Sequence, residues 1–214
     1  MARKAGLRER KKTQTRQHIA DTAARLFATH GYDQVSIADV AQAADVSDQT
    51  VYNYFPAKHD LVLDRADEML QRYSRTVLER PSGTSPAAAL RVVAHHEIER
   101  HRRADLDQAR GELPALSVSS PAIHRLTLQA RDQQAEAVAA AITETNPAIH
   151  PAVARAHAAA LISIFQMAGE RIGRGVLDRT APDTLADELV LAAEAVFDDL
   201  DQHFQHAHGP RSTA

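Results

Sequence analysis

The stretch Val35–Lys58, VSIADVAQAADVSDQTVYNYFPAK, constrains the fold of this chain most. It reads as two short helices joined by a tight turn, with an aromatic cluster directly after them. The first helix is expected from Ser36 to about Ala43. Ser36 is a good N-cap, and Asp39 three residues on makes a capping box with Asp in place of Glu. Ile37, Val40, Ala41 and Ala44 recur at helical spacing and mark a buried face. Ala44, Asp45 and Val46 form the turn. Ser47 caps the second helix, which runs to about Asn53, and Asp48 suits its positive N-terminal end. Val46, Val51 and Phe55 face inward. Asp48, Gln49, Thr50 and Asn53 face outward, with short or amide side chains able to reach base edges. Two helices around a short turn, the second polar on its outer face, make a helix-turn-helix.

The surrounding composition favours helices throughout. The chain has 214 residues, 44% of them apolar and many of them alanine, with 8 Gly, 9 Pro and few aromatics. That length suffices for one or two domains with a hydrophobic core. The absence of Cys excludes a disulfide frame, a thiolate metal site and a Cys nucleophile. No apolar run is read as approaching the roughly 18 residues of a membrane-spanning helix. The basic N-terminus precedes no apolar segment of the secretory type. The expectation is a soluble, cytoplasmic protein with no membrane partner.

Charge divides the chain. Residues 1–58 carry nine Lys and Arg against six Asp and Glu; the remainder carries 16 against 22. Much of the positive charge lies in Arg3, Lys4, Arg8, Arg10, Lys11, Lys12 and Arg16. A phosphate-facing end and an acidic body account for this. Merely solubilising charge is the other reading of the arm.

Taken in order, residues 1–11 are expected to be a flexible tail. A first helix follows from Lys12 or Thr13 to Thr29, with Ile19, Ala23, Leu26 and Phe27 as its core stripe and Gly31 as its stop. After the motif, a longer helix starts near Ala57 and runs to about Glu79. Pro81–Pro86 is a loop. Further helices are expected at 86–103, 106–116, 120–145, 151–177 and 184–206, before a flexible tail at 207–214.

Residues Thr15–Asp60, TRQHIADTAARLFATHGYDQVSIADVAQAADVSDQTVYNYFPAKHD, resemble the DNA-binding domain of the TetR family of transcriptional regulators. The agreement lies in the order and spacing of TR, I, A, LF and GY in the first helix, then SIADVAQAADVS, then TVYNYFPAKHDL. Asp45 departs from the glycine usual in the turn, although Asp tolerates positive φ better than most residues. Asp48 departs too, being acidic near phosphates. The rest of the chain matches the family in architecture only.

The resemblance implies an all-α fold. A three-helix helix-turn-helix DNA-binding domain would occupy residues 12–60, with its motif at about 36–55. A helical ligand-binding and dimerisation domain would occupy 61–206. It implies that Tyr52 and Lys58 hold phosphates and that Ser36 caps and touches backbone. Ser47 and Thr50 reach phosphates or bases, and Asp48, Gln49, Asn53 and Tyr54 lie where sequence is read. Arg16 is a DNA contact or a solvated helix residue. Tyr52 and Tyr54 have packing as their alternative role, and Phe55 reads as core. The family also implies a homodimer through helices 151–177 and 184–206. Both carry broad apolar stripes, among them Val153, Leu161, Ile164 and Ile172 in the first, and Leu185, Leu189, Val196 and Phe197 in the second.

The effector is least legible. Glu97 and His101 share the inward stripe of their helix, and Gln133 sits among Leu126, Ala130 and Ala137. Buried polar groups need partners, which a ligand or an internal pair supplies. Met69, Tyr73 and Phe165 are candidates for an apolar wall, with plain core as the alternative. His95 with Glu99, and Glu97 with His101, never reach three metal ligands on one helix, so no metal and no cofactor beyond an unknown small molecule is expected. The reading is a non-enzymatic repressor that binds an inverted-repeat operator as a homodimer and is released by a small-molecule effector. The alternatives are a DNA-binding regulator with no small effector, and a helical enzyme or ligand-binding protein.

Overall fold

The computed structural model describes the backbone of residues 2–206 and the side chains of residues 9–63 and 71–204. The described residues form ten helices and no strand. The first, α1 (Ala2–His30), begins well ahead of the expected Lys12. Its N-terminal turns hold Ala, Leu, Arg, Glu and Lys, all strong helix formers, with Gly6 as the one weak point and no proline. The segment expected to be a flexible tail is therefore helical from Ala2. The other expected tail, 207–214, lies outside the described residues. Gly31 ends α1 at φ +80, a left-handed conformation that suits glycine.

The motif follows as α2 (Ile37–Ala43) and α3 (Asp48–Tyr54). Ser36 Oγ accepts from the Asp39 amide at 3.1 Å, and the Ser36 amide donates to Asp39 Oδ2 at 2.7 Å. That is the reciprocal capping box, worth on the order of 1 kcal/mol. Asp45 takes φ 55 in the turn, as its glycine-like position requires. Ile19, Ala23, Phe27, Val40, Val51 and Phe55 are almost fully buried together. They lock the three helices into one core.

Next, α4 (Asp60–Leu78) starts later than Ala57, because the chain before it is a tight turn in which the Asp60 and Leu61 amides donate to the Ala57 and Lys58 carbonyls three residues back, at 3.0 and 3.3 Å. The body continues as α5 (Pro86–Arg102), α6 (Leu106–Ala109), α7 (Leu113–Ser119), α8 (Pro121–Thr145), α9 (Pro151–Asp178) and α10 (Pro182–His206). The single helix expected over 106–116 is two helices. They break at Gly111, whose Cα is pressed on α1: a Cβ there would lie 1.9 Å from the Ala24 carbonyl oxygen. Pro114, in the first turn of α7, lacks the amide to continue a ladder from α6.

Leu90, Ile98, Ile142, Leu161, Leu189 and Phe197 fill the body core between α5, α8, α9 and α10. Arg91 bridges to Asp198 at 2.6 Å and Glu194 at 3.1 Å, and Arg102 to Asp187 at 2.7 Å. These partly exposed pairs set the register of α5 on α10 more than they add stability. Contrary to the sequence expectation, α9 is long and apolar enough, by length and composition, to cross a membrane. In this fold it packs on α7, α8 and α10 and buries Ala154, Ala158, Leu161 and Ile164.

The N-terminal cluster does not stop at the motif. Leu116 of α7 and Ile123 of α8, at 1% and 0% exposure, belong to it. Full burial of such side chains contributes about 1.5–3 kcal/mol each. Ser120 Oγ adds a hydrogen bond to Asp33 Oδ1 at 3.3 Å. The body is thus packed on the motif core, in addition to being joined to it by α4.

Candidate nucleic-acid interface

Helix α3 is oriented by one end and one side. At its start, Ser47 Oγ accepts from the Thr50 amide at 3.1 Å and lies 2.8 Å from Thr50 Oγ1. On its inner side Val51 is wholly buried. The opposite side is therefore turned to solvent, with Asp48, Gln49 and Asn53 exposed and Tyr52 47% exposed. Gln49 Nε2 donates to Asn53 Oδ1 at 3.1 Å, one helical turn away. That bond leaves the Gln49 carbonyl oxygen as an acceptor and the Asn53 amide as a donor, the pair of functions that matches an adenine edge. Thr50 and Tyr54 are half-buried at the margin, and Tyr54 packs against the motif core.

Two basic residues hold the motif from beneath. Arg16 donates from its guanidinium to the Tyr54 carbonyl at 2.8 Å and lies 4.5 Å over the Phe55 ring. It ties α1 to the C-terminal end of α3. Lys58 Nζ sits 4.1 Å over the Tyr32 ring. Burial lowers the Lys58 pKa, against the opposing charges of Asp33 and Asp39. His18 Nε2 lies 3.2 Å from the Ala44 carbonyl at the end of α2.

In the body, three of the expected pocket residues meet. Tyr73 donates to Glu97 Oε2 at 3.5 Å, and its ring lies 4.3 Å from that of Phe165. Arg72 pairs with Glu97 Oε1 at 3.7 Å, yet that buried oxygen accepts no hydrogen bond among the described residues. His101 follows one turn along α5, is 6% exposed, and its Nε2 is likewise without a hydrogen-bond partner. Burial pushes the Glu97 carboxyl up, against Arg72 and Arg100. Burial pushes the His101 imidazole down, with Arg100 adding to the effect. Burial and Glu97 push the Tyr73 phenol up. Each group is driven towards its neutral form.

Gln133 does not join them. It is exposed, because α8 turns Ala135, Val138, Ala139 and Ile142 inward, a different stripe from the one read through Leu126 and Ala130. The Met69 side chain lies outside the described residues. Many of the apolar residues assigned to a dimer face fill this chain's own core, including Leu161, Ile164, Leu189 and Phe197. Of the assigned residues Val153 and Val196 remain exposed, at 43% and 37%, and Leu191, outside the expected stripe, is 73% exposed. Among the described residues no three His, Asp or Glu side chains converge as metal ligands.

Sequence reasoning missed how α7 and α8 enter the motif core. Gly111 and Pro114 in the sequence were the available signals of a break there.

A polar helix presented in this way on a three-helix core defines a helix-turn-helix DNA-binding protein. Residues 19–64 match the family model of bacterial regulatory proteins, tetR family. The match places a TetR-type DNA-binding domain in the N-terminal part of the chain. The chain is 27% identical over 108 residues to the HTH-type transcriptional regulator TcmR of Streptomyces glaucescens, covering 50% of this chain and 48% of that protein. The chain thus spans about half the length of that relative. Among solved structures, NalD of Pseudomonas aeruginosa, the secondary repressor of the MexAB-OprM multidrug efflux pump, is similar at TM-score 0.58. It is 18% identical, over 86% of this chain and 97% of NalD. The Thermus thermophilus repressor FadR, in complex with lauroyl-CoA, is similar at TM-score 0.53. It is 22% identical, over 92% of this chain and 97% of FadR. At these identities the two structures speak for the fold.

Proposed function

We propose that the chain is a repressor that binds an inverted-repeat operator as a homodimer and releases it when a small molecule occupies the body. The observation that carries this is the exposed Gln49–Asn53 pair on α3, oriented by the Ser47 cap and the Val51 anchor. Gln49 and Asn53 read base edges, with Asp48 and Tyr54 at the margins. Ser36, Ser47, Thr50, Tyr52 and Lys58 hold phosphates. Arg16 acts indirectly, by fixing the end of α3. Val153, Leu191 and Val196 supply apolar surface for a partner copy on α9 and α10. Two-fold pairing sets the two reading helices about 34 Å apart, one turn of duplex.

The effector site is assigned to Tyr73, Glu97, His101 and Phe165. The unpartnered buried Glu97 Oε1 and His101 Nε2 favour a ligand that completes their hydrogen bonds. Tyr73 lies on α4, which runs directly from the motif, so a ligand displacing Tyr73 moves the reader. Such release requires the ligand to favour one state over the other. The repressor and acyl-CoA complex among the similar structures support the reading by analogy of fold.

The test is a mobility-shift assay on duplexes enriched from a random pool, followed by a thermal-shift screen of metabolites. The proposal expects one enriched inverted repeat, loss of its binding in Gln49→Ala and Tyr52→Ala, and a stabilising ligand that releases DNA. If both variants bind like wild type, the assigned surface is wrong. A second reading, a regulator without a small effector, is favoured by the tight packing at Tyr73, which is 1% exposed beneath Phe165. A screen with no stabilising ligand, together with sustained DNA binding, selects it.

A further inference from the structure

We infer that Asp48, the first residue of α3, specifies a cytosine in each half of the operator by accepting a hydrogen bond from the cytosine amino group. The inference rests on the DNA-reading proposal and gives a base to a residue that the proposal leaves at the margin of the reading face. Asp48 is the one charged residue of α3, and it is exposed. Among the described residues no hydrogen bond or ion pair engages its carboxylate.

The groups of the motif that could engage or neutralise it have other partners. Ser47 Oγ accepts from the Thr50 amide at 3.1 Å, so the cap of α3 is made without Asp48. Gln49 and Asn53 bond to each other at 3.1 Å. Arg16 is held at the far end of α3, on the Tyr54 carbonyl and over the Phe55 ring. Lys58 is held over the Tyr32 ring. Asp48 therefore comes to the reading surface as an acceptor whose charge is uncompensated.

Such a group discriminates by what it meets. The phosphates that wall a groove repel a carboxylate whatever the sequence. Guanine and thymine edges repel it further, because N7, O6 and O4 are acceptors. The donors in the major groove are the amino groups of cytosine and adenine, and that of adenine stands beside the acceptor N7. Cytosine offers its amino group with no acceptor on the same edge, so an acid suits cytosine where an amide suits adenine. Position favours the contact as well. Side chains on a helix lean towards its N-terminus, and a recognition helix meets base edges with its first residues. Asp48 leads α3 into the groove one residue ahead of Gln49, so the cytosine neighbours the base met by Gln49. Its role is discrimination at a cost in affinity.

The experiment selects duplexes from a random pool with the full chain, as wild type, Asp48→Asn and Asp48→Ala. Fluorescence anisotropy then compares the wild-type repeat, the same repeat with the cytosine of each half-site replaced by thymine, and a scrambled duplex. Wild type is expected to enrich a C·G pair at one position per half-site and to lose affinity by roughly 5- to 150-fold for each pair replaced. Both variants are expected to become indifferent at that position, to keep the other preferences, and to bind scrambled DNA more tightly than wild type. Asp48→Asn keeps the shape of Asp and can donate to thymine O4, so it should bind the thymine duplex as well as its parent. Base preferences that are the same in wild type and both variants overturn this inference while leaving the reading by Gln49 and Asn53 intact. Weaker binding of scrambled DNA by both variants overturns it too, because the carboxylate would then serve affinity. Absence of any sequence preference in the wild type overturns both readings.

Discussion

Gly111 lies against Ala24 so closely that a Cβ on Gly111 would stand 1.9 Å from the Ala24 carbonyl oxygen. The contact joins the break between α6 and α7 to the middle of α1. Gly173 repeats the arrangement on the other side, where a Cβ would stand 2.1 Å from the Pro114 carbonyl oxygen. A continuous packed path therefore runs from α9 through α7 to α1, parallel to the covalent path through α4. The body and the helix-turn-helix are thus joined both by the chain, through α4, and by packing, through α7.

Gly111→Ala is expected to push α7 off α1. Overpacking of this kind costs about 1–3 kcal/mol. For a chain of this size each kcal/mol lowers Tm by about 2–4 °C. Thermal unfolding measures it, and an unchanged Tm would show that the contact yields freely.

Arg16→Ala separates support from contact. The variant loses the bond to the Tyr54 carbonyl and the stacking on Phe55. A loss of about 1–2 kcal/mol in stability is expected. DNA binding should weaken without a fall in salt slope, whereas Lys58→Ala should lower the slope by about 0.9 per reading domain engaged. A fall in slope for Arg16→Ala would make it a direct phosphate ligand.

The buried pair on α5 gives opposing pH effects. His101 has a folded pKa below the ordinary 6.5. Its contribution is therefore complete above 6.5 and is lost as pH falls from there towards the lowered value. Glu97 has a raised folded pKa, so stability falls as pH rises from the ordinary 4.5 through that value. Denaturant titrations between pH 4 and 8 should show the acid-side loss reduced in His101→Gln and the alkaline-side loss reduced in Glu97→Gln. Parallel curves for wild type and both variants would contradict these environments.

The motif was legible because its signals are local. Ser36, Asp39, Asp45 and Ser47 fix caps and turn within a few residues, and the structure places each in that geometry. The body was less legible, because helix faces are chosen by distant partners. Gln133 follows an apolar stripe in sequence yet faces solvent, since α8 meets α4 and α9 along the Ala135–Ile142 stripe instead. Leu161 and Phe197 looked available to a partner chain and are consumed by the monomer core. Leu116 and Ile123 entered the motif core through a contact that no local pattern encodes. Arg16 and Lys58 look alike as cations in sequence; only the positions of Tyr54, Phe55 and Tyr32 show what each is held by.

The central claim is that the Gln49–Asn53 face of α3 reads DNA sequence. Its most direct test is selection of duplexes from a random pool by wild type and by Gln49→Ala, Asn53→Ala, with the preference for the enriched site over a scrambled one as readout. The account predicts an inverted repeat for the wild type, and a variant that binds the two duplexes nearly alike while keeping the wild-type salt slope on scrambled DNA. A variant that selects the same repeat with the same preference would contradict it.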